Sequence, residues 1–266
     1  SQGSSRQLRS AGDRAMLQQA FNFQEAHNDN LYGPCFGDAN WLMFDYNRGY
    51  APDIESSGIM DIFRIPKFSY WFYRSQAEEG PVCFIAHHNL PSSGTTVRVF
   101  SNADTIMLFQ NDSLTAVQGP DHNSNTVNLK HPPFTFTLPG YSPGTLKAVA
   151  IRNGAEIASH SVTTPGTPTA LRLEADFSNR PLSADGADAV FVYATVVDSA
   201  GNPVCNADSL VEFSVRGNAE LTGQNPVRAE AGIASILLRA GTNPGKIMIR
   251  AISDGLAVAE LMTETK

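Results

Sequence analysis

The pattern of apolar and polar residues changes character twice along the chain, near residue 77 and near residue 166. In the first part, Leu8–His27 carries strong helix formers with apolar residues near helical spacing, and the polar sequence NDN follows. These features predict a helix that ends near His27. The sequence NWLMFDY, residues 40–46, is a short and continuous apolar run, which is typical of a strand covered on both faces.

A second helix is predicted over Pro66–Gln76, because proline suits the first helical position. The aromatic residues of this segment are Phe68, Tyr70, Trp71, Phe72 and Tyr73. At helical spacing, such a stripe most often docks a helix on a core. The alternative is that it provides a platform for a sugar ring. We therefore expect it to pack residues 1–76 against the structure that follows.

Residues 77–266 predict β structure, because short apolar runs are separated by turn residues. Asn153-Gly154 lies between two such runs and is a strong hairpin signal. The sequence TTPGTPT, residues 163–169, predicts a linker, since proline and glycine interrupt strand pairing. After it, about seven strands in roughly 100 residues favour an immunoglobulin-like sandwich. The predicted fold class is mainly β, with two consecutive immunoglobulin-like β-sandwiches preceded by an α/β segment.

Composition and charge argue against several classes of function. Of the 266 residues, 42% are hydrophobic and 17% are charged, so the chain should be globular. The net charge of −7, without a basic run, argues against nucleic-acid binding. No apolar run approaches the ~18 residues of a membrane span. Cys35, Cys83 and Cys205 are far apart without a CxxC spacing, so neither a disulfide framework nor a metal site is expected. Phosphate-binding glycine loops are missing as well, and no cofactor is expected.

The first part of the chain resembles the final strand and helix of the catalytic barrel in family 2 glycoside hydrolases, the β-galactosidase-like group. The matching motifs are Trp41, Phe44-Asp45-Tyr46, Gly58-Ile59-Met60-Asp61, Pro66-Lys67 and Ser75-Gln76. Residues 97–176 resemble the β-sandwich that follows this barrel in bacterial members, and residues 184–204 resemble the start of an invasin-like or immunoglobulin-like domain. The resemblance covers nearly the whole chain.

This resemblance implies a domain order. Residues 1–76 would be the C-terminal end of a (β/α)8 barrel, residues 77–165 an accessory β-sandwich, and residues 166–266 an immunoglobulin- or invasin-like sandwich. A complete barrel of this type needs ≈ 250 residues. The sequence also begins SQGSS, without Met. We therefore expect the chain to be a C-terminal fragment of a longer protein, located in the periplasm or outside a bacterial cell.

The resemblance further implies a retaining hydrolase of β-galactoside-like O-glycosidic bonds, which uses two glutamates as acid/base and nucleophile. In the family both glutamates precede the final barrel strand, so we expect this chain to contain no catalytic residue. Glu25 falls in the predicted first helix rather than at a strand end, and it fits neither role. The parent protein is thus expected to be a glycosidase, while this fragment lacks the two carboxylates.

Trp41, Asp45, Tyr46 and Asn47 are the candidate substrate-binding residues. Residues at the carboxyl end of a barrel strand face the substrate. Aromatic rings suit the face of a sugar, and Asp or Asn can bond its hydroxyls. The alternative is that Trp41 fills a core and that Asp45 caps or bridges a neighbouring loop. The expected partner is a carbohydrate substrate, bound through the parent enzyme.

Two other functions stay open at this point. The sandwiches could form a non-catalytic carbohydrate-binding module, or they could act as a structural spacer. The first is weakened because no tryptophan follows Trp71 and only Tyr141 and Tyr193 are tyrosines beyond the barrel-like segment. Asp61 and the nearby Arg64 are expected to form a structural ion pair. The sugar identity and the oligomeric state do not follow from the sequence.

Overall fold

The chain divides into two compact units, Ser1–Thr164 and Pro165–Lys266. The computed structural model describes residues 3–266 of it. The boundary between the units falls inside the TTPGTPT segment that the sequence identifies as a linker. The finer division of the first unit at residue 76 stays a prediction.

The first helix starts later than the sequence predicts. A 3₁₀ turn, Arg9–Ala11, precedes helix α1, Asp13–Tyr32, whereas the prediction was Leu8–His27. Gly12 between them has a φ of +84°, which glycine adopts readily and which lies outside the helical region. The helix therefore begins after Gly12, with Asp13 in its first turn, where a negative charge interacts favourably with the helix dipole.

Helix α1 also continues through the NDN sequence that was expected to stop it, and it ends at Tyr32. The side chain of Asn28 donates to the carbonyl of Ser124 at 3.0 Å and accepts from the amide of Asn128 at 3.0 Å. These contacts with a distant loop stabilise a helical position that asparagine does not favour by itself. The stop prediction was wrong because tertiary hydrogen bonds outweigh local propensity here.

The segment NWLMFDY is not the buried strand that its apolar run predicts. Its only regular part is Tyr46–Asn47 (β1), which pairs antiparallel with Ile54–Glu55 (β2). Phe44 forms an isolated parallel bridge with Met60, and Trp41 is 70% exposed. A strand is buried on both faces only when neighbouring strands and covering helices surround it. Here Asp45 is buried, but Trp41 and Met43 are 70% and 54% exposed, so the segment is not covered on both faces and the sandwiched-strand prediction is wrong for this chain.

Helix α2 spans Phe68–Gln76, and Pro66, the predicted first residue, instead forms a β-bridge. The aromatic stripe of α2 packs into the core, which confirms the docking prediction. The ring of Trp71 stacks on Phe84 with centroids 4.5 Å apart and an interplanar angle of 8°. The buried residues of this cluster are Met16, Ala20, Phe68, Phe72, Ala86, Phe100 and Leu129. α2 thereby joins α1 to the β structure of the first unit.

The rest of the first unit is a β-sandwich. Its strands are Cys83–Ala86 (β3), Thr96–Ser101 (β4), Thr105–Gln110 (β5), Ser113–Gln118 (β6), Phe134–Thr137 (β7), Thr145–Arg152 (β8) and Ala155–Thr163 (β9). They form two antiparallel sheets, β3-β4-β7 and β6-β5-β8-β9, with a core drawn from both. Asn153 and Gly154 join β8 to β9 with φ values of +52° and +78°. Positive φ at both positions is what a type I′ turn requires, so the predicted hairpin is confirmed.

The second unit is another antiparallel sandwich. Its strands are Ala170–Ala175 (β10), Ala189–Val197 (β11), Leu210–Arg216 (β12), Ala219–Thr222 (β13), Val227–Arg228 (β14), Ile233–Ala240 (β15), Gly245–Ile252 (β16) and Ala259–Thr265 (β17). The sheets have the orders β10-β11-β15-β13 and β14-β12-β16-β17. Alternate residues of each strand, such as Val211 and Phe213 of β12, face the core. The chain is therefore mainly β, as predicted.

Candidate functional site

Trp41 and Tyr46 form an exposed aromatic pair beside β1. Their ring centroids lie 6.3 Å apart at an interplanar angle of 79°, an edge-to-face contact that aromatic rings favour. Trp41 is 70% exposed and Tyr46 is 36% exposed, and Asn47 next to them is exposed as well. Three of the four predicted site residues are therefore accessible to a ligand.

Asp45, the fourth predicted residue, is buried and only 3% exposed. Its Oδ1 accepts hydrogen bonds from Nζ of Lys67 at 2.8 Å and from the amide of Gly58 at 2.8 Å. Its Oδ2 lies 2.8 Å from the same Nζ. The carboxylate is thus bound by the protein itself, which agrees with the alternative interpretation that Asp45 bridges a neighbouring loop. Its direct contact with a substrate stays an untested prediction.

Lys67 is fully buried and connects three segments of the chain. Besides Asp45, its Nζ donates to the carbonyl oxygens of Gln7 at 2.6 Å and of Ser56 at 2.9 Å. A buried ammonium group is stable only when its donors are satisfied in this way. The sequence placed Lys67 in a motif but assigned it no role. The sequence feature that could have indicated a role for Lys67 is its place directly before a predicted helix with an apolar face.

Gly58 lies where its loop comes close to the segment of Asp45. A Cβ atom at Gly58 would lie 2.4 Å from the amide nitrogen of Asp45 and 2.5 Å from the carbonyl oxygen of Met60. Both are backbone atoms that cannot move aside without shifting the chain. Glycine is therefore needed for the hydrogen bond that Asp45 receives from this loop.

A second buried ion pair supports the same region. Nε of Arg9 donates to Oδ2 of Asp61 at 2.7 Å, and both side chains are almost fully buried. Asp61 also accepts hydrogen bonds from two backbone amides of the turn that follows it. Asp61 thus forms a structural ion pair with Arg9, while the guanidinium of Arg64, which was the predicted partner, lies 3.6 Å from the ring centre of Phe44.

A partly exposed group of opposite charges orders the loop after Asn47. Arg6 pairs with Asp53 at 2.7 Å and with Glu55 at 3.1 Å, and Arg48 also contacts Asp53. The hydrogen bonds from Arg48 and Arg6 lower the pKa of Asp53. Exposed ion pairs of this kind contribute little to stability, but here they link the loop to the N-terminal segment.

The exposed side chains of the site region are of a kind that can bind a ligand. The aromatic pair presents apolar ring surfaces, and Asn47 offers an amide for hydrogen bonding. The carboxylates of the segment are engaged, Asp45 by Lys67 and Glu55 by Arg6. Within residues 3–266, no cluster of His, Cys, Asp and Glu is placed to hold a metal ion.

Asp45 should give the stability of the first unit a distinctive pH dependence. Burial raises the pKa of Asp45 to about 6, and the hydrogen bond and charge of Lys67 offset this only in part. The carboxyl group of Asp45 therefore binds its proton more tightly in the folded chain than in the unfolded chain, where its pKa is near 3.8. The stabilisation that results from protonated Asp45 should be complete below about pH 4 and lost as the pH rises through about 6.

The comparison of wild type with Asp45→Asn isolates this contribution. The difference in unfolding free energy, wild type minus variant, should fall by about 3 kcal/mol between pH 3 and pH 7. Denaturant titrations at a series of pH values measure it. Parallel pH profiles for the two proteins would show that Asp45 titrates alike in the folded and unfolded chains.

Two family models match the chain. The model described as glycoside hydrolase family 2 C-terminal domain 5 matches residues 171–262. The model described as a domain of unknown function, DUF4982, matches residues 93–158. Each match falls on one of the two β-sandwiches. No helix within residues 3–266 is long and apolar enough to span a membrane.

Known proteins resemble most of the chain but extend well beyond it. A β-galactosidase of Thermoanaerobacter pseudethanolicus is 34% identical over 241 residues, which are 83% of this chain and 32% of the relative. The β-galactosidase BoGH2A of Bacteroides ovatus is 30% identical over 246 residues, which are 85% of this chain and 28% of the relative. A crystal structure of a β-glycosidase from Bacteroides vulgatus has the same fold, with a TM-score of 0.73 and 23% identity, over 85% of this chain and 30% of that one.

Proposed function

Because the chain belongs to glycoside hydrolase family 2 and corresponds to its C-terminal region, we propose that it forms part of an enzyme hydrolysing β-galactoside-like O-glycosidic bonds. The β-galactosidases of T. pseudethanolicus and B. ovatus support this substrate class. The chain spans 32% and 28% of their lengths, so it contributes one portion of such an enzyme. In the proposal, that portion is a wall of the sugar pocket together with two accessory sandwiches.

The observation that carries the proposal is the exposed aromatic pair with its buried support. Trp41 is 70% exposed, although a ring of this size would normally be covered. Four residues further along, Asp45 fixes the backbone of the same segment through its ion pair with Lys67 and the hydrogen bond from Gly58. A rigid backbone that presents exposed aromatic rings is what a sugar-binding wall requires. In this arrangement Asp45 positions the wall, while Trp41, Tyr46 and Asn47 contact the substrate.

The proposed reaction is the two-step retaining hydrolysis of the family. It requires two carboxyl groups ≈ 5–5.5 Å apart, one as nucleophile and one as acid/base. In this chain Asp45 is held by Lys67, and Glu25 lies in the middle of α1 rather than at a strand end. The proposal therefore assigns both catalytic carboxylates to a part of the enzyme outside residues 1–266.

The parallel bridge between Phe44 and Met60 supports the assignment of residues 1–76 to the end of a (β/α)8 barrel, because barrel strands run parallel. The carbohydrate partner is bound on the face of Trp41. We place the enzyme in the periplasm or outside a bacterial cell, following the family resemblance.

Activity measurements test the proposal at two levels. The purified 266-residue chain should not hydrolyse an aryl β-galactoside. In the full gene product, Trp41→Ala should lower kcat/KM for that substrate by about tenfold to a hundredfold, because a central aromatic contact is lost. Tyr141→Ala, which truncates an exposed tyrosine in the loop between β7 and β8, serves as the control and should leave kcat/KM unchanged. Hydrolysis by the isolated chain, or an unchanged kcat/KM in Trp41→Ala, would overturn the assignment.

A further inference from the structure

A cleft of ≈ 560 Å³ lies in the first unit between α1 and the sandwich. Its α1 wall is a single helix face that consists of Arg14, Leu17, Gln18 and Phe21. The opposite wall is the hydroxyl-rich loop 92–96, together with Arg98 of β4 and Thr135 of β7, which are direct partners in the sheet. The volume falls in the range of small-molecule sites, ≈ 300–1,000 Å³.

Two guanidinium groups line this cleft, and neither forms an ion pair with a carboxylate of the described chain, residues 3–266. Arg98 donates weakly to the hydroxyl of Thr135 at 3.4 Å, and its guanidinium lies 5.7 Å from the ring centre of Phe21. The carboxylate of Asp121 is instead bound to Thr135, through the amide at 3.0 Å and the hydroxyl at 2.6 Å. Arg14 is exposed at the edge of the cleft.

The environment of Arg98 favours an anion in the cleft. Burial lowers the pKa of Arg98, and the charge of Asp121 opposes this only in part. A partly buried cation without a directly paired carboxylate is less stable than one with a partner. A negatively charged ligand would supply that partner, and guanidinium groups bind carboxylates in two-point geometry.

We propose that this cleft binds an acidic saccharide, a sugar that carries a carboxylate. The carboxylate pairs with Arg98 and Arg14, the ring packs on Leu17 and Phe21, and the sugar hydroxyls bond to loop 92–96. The mixture of two cations, apolar side chains and hydroxyl groups fits a ring with both charge and hydroxyls better than it fits a simple anion. The cleft shares no residue with the Trp41 surface, so the inference goes beyond the proposed function.

An NMR titration of the 266-residue chain tests this site. Glucuronate should shift the backbone amide resonances of loop 92–96. Glucose has the same ring without the charge, and sodium sulfate has the charge without the ring. Glucuronate should bind at least about tenfold more tightly than either, since each lacks one kind of contact. Equal binding of glucose, equal binding of sulfate, or no shift in loop 92–96 would overturn the proposal.

Charge variants locate the binding. Arg98→Gln and Arg14→Gln should each weaken glucuronate binding by about tenfold. Arg216→Gln is the control, because it makes the same change at an exposed position on β12 of the second unit. Arg14 is exposed, so its variant provides the test even if Arg98→Gln does not fold. Unchanged binding in Arg14→Gln would refute the site, and it would leave the Trp41 assay of the proposed function unaffected.

Discussion

Replacing Lys67 with methionine is expected to lower the free energy of unfolding of the first unit by about 3–5 kcal/mol. The substitution keeps an apolar stem but removes the ammonium group, so the carboxylate of Asp45 stays buried without its cation. The carbonyl oxygens of Gln7 and Ser56 each lose a donor as well. Denaturant unfolding followed by tryptophan fluorescence measures the loss, since both tryptophans lie in the first unit.

Two matched variants separate the loss of this ion pair from a general disturbance. Arg74→Met removes the cation of a more exposed pair with Glu79 and should destabilise the unit much less. The double variant Lys67→Met with Asp45→Leu should recover much of the loss, because no unpaired carboxylate remains buried. Acidic pH should also reduce the loss, since protonated Asp45 needs no cation. Equal destabilisation in Lys67→Met and Arg74→Met would contradict the role assigned to Lys67.

Phe72→Ala should destabilise the first unit by about 3–5 kcal/mol, through a cavity in its aromatic core. Phe72 is 0% exposed, and its ring lies edge-to-face with Phe100 at 6.0 Å and with His27 at 6.0 Å between centroids. These contacts join α2 to α1 and to β4. Loss of the ring removes packing from three elements at once, and the surrounding backbone cannot collapse fully to fill the space. Calorimetric or denaturant unfolding of the purified chain gives the value.

Tyr32→Ala provides the control for Phe72→Ala. It also truncates a large aromatic side chain of a helix, but Tyr32 is 84% exposed at the end of α1. Its effect should stay within about 0.5 kcal/mol. A small effect of Phe72→Ala, close to that of Tyr32→Ala, would mean that α2 is not anchored by its aromatic stripe.

The two largest expected effects concern the same structural problem, which is how the segment that carries Trp41 is held. α2 is fixed to the sandwich by its aromatic stripe, and Lys67 directly precedes it. Lys67 then reaches back to Asp45, between Trp41 and Tyr46. Through the buried Asp45–Lys67 pair, α2 thus holds the segment that carries the proposed sugar wall. Measuring both stability and activity of Lys67→Met in the full gene product would separate these consequences.

Local patterns predicted the sandwiches well. Alternating burial along strands such as β12, the hairpin at Asn153-Gly154 and the linker near residue 165 all depend on neighbours in the sequence. Predictions failed where distant parts of the chain decide the outcome. Helix α1 passes through NDN because Asn28 finds partners near residues 124 and 128. The apolar run around Trp41 is covered only in part, because Asp45 packs inward while Trp41 and Met43 stay exposed.

The sequence by itself determined that this chain is mainly β and similar to family 2 glycoside hydrolases, and it identified the motif that contains Trp41 and Asp45. The β character rests on periodicity and turn residues, which are local properties, and the similarity rests on the resemblance of short motifs to those of a known family. Only the tertiary structure decided that Asp45 points inward to Lys67, that Gly58 must be glycine, and that Arg14 and Arg98 face one cleft. Each of these depends on contacts between residues far apart in sequence, and such contacts are set by the packing of whole elements rather than by any local pattern.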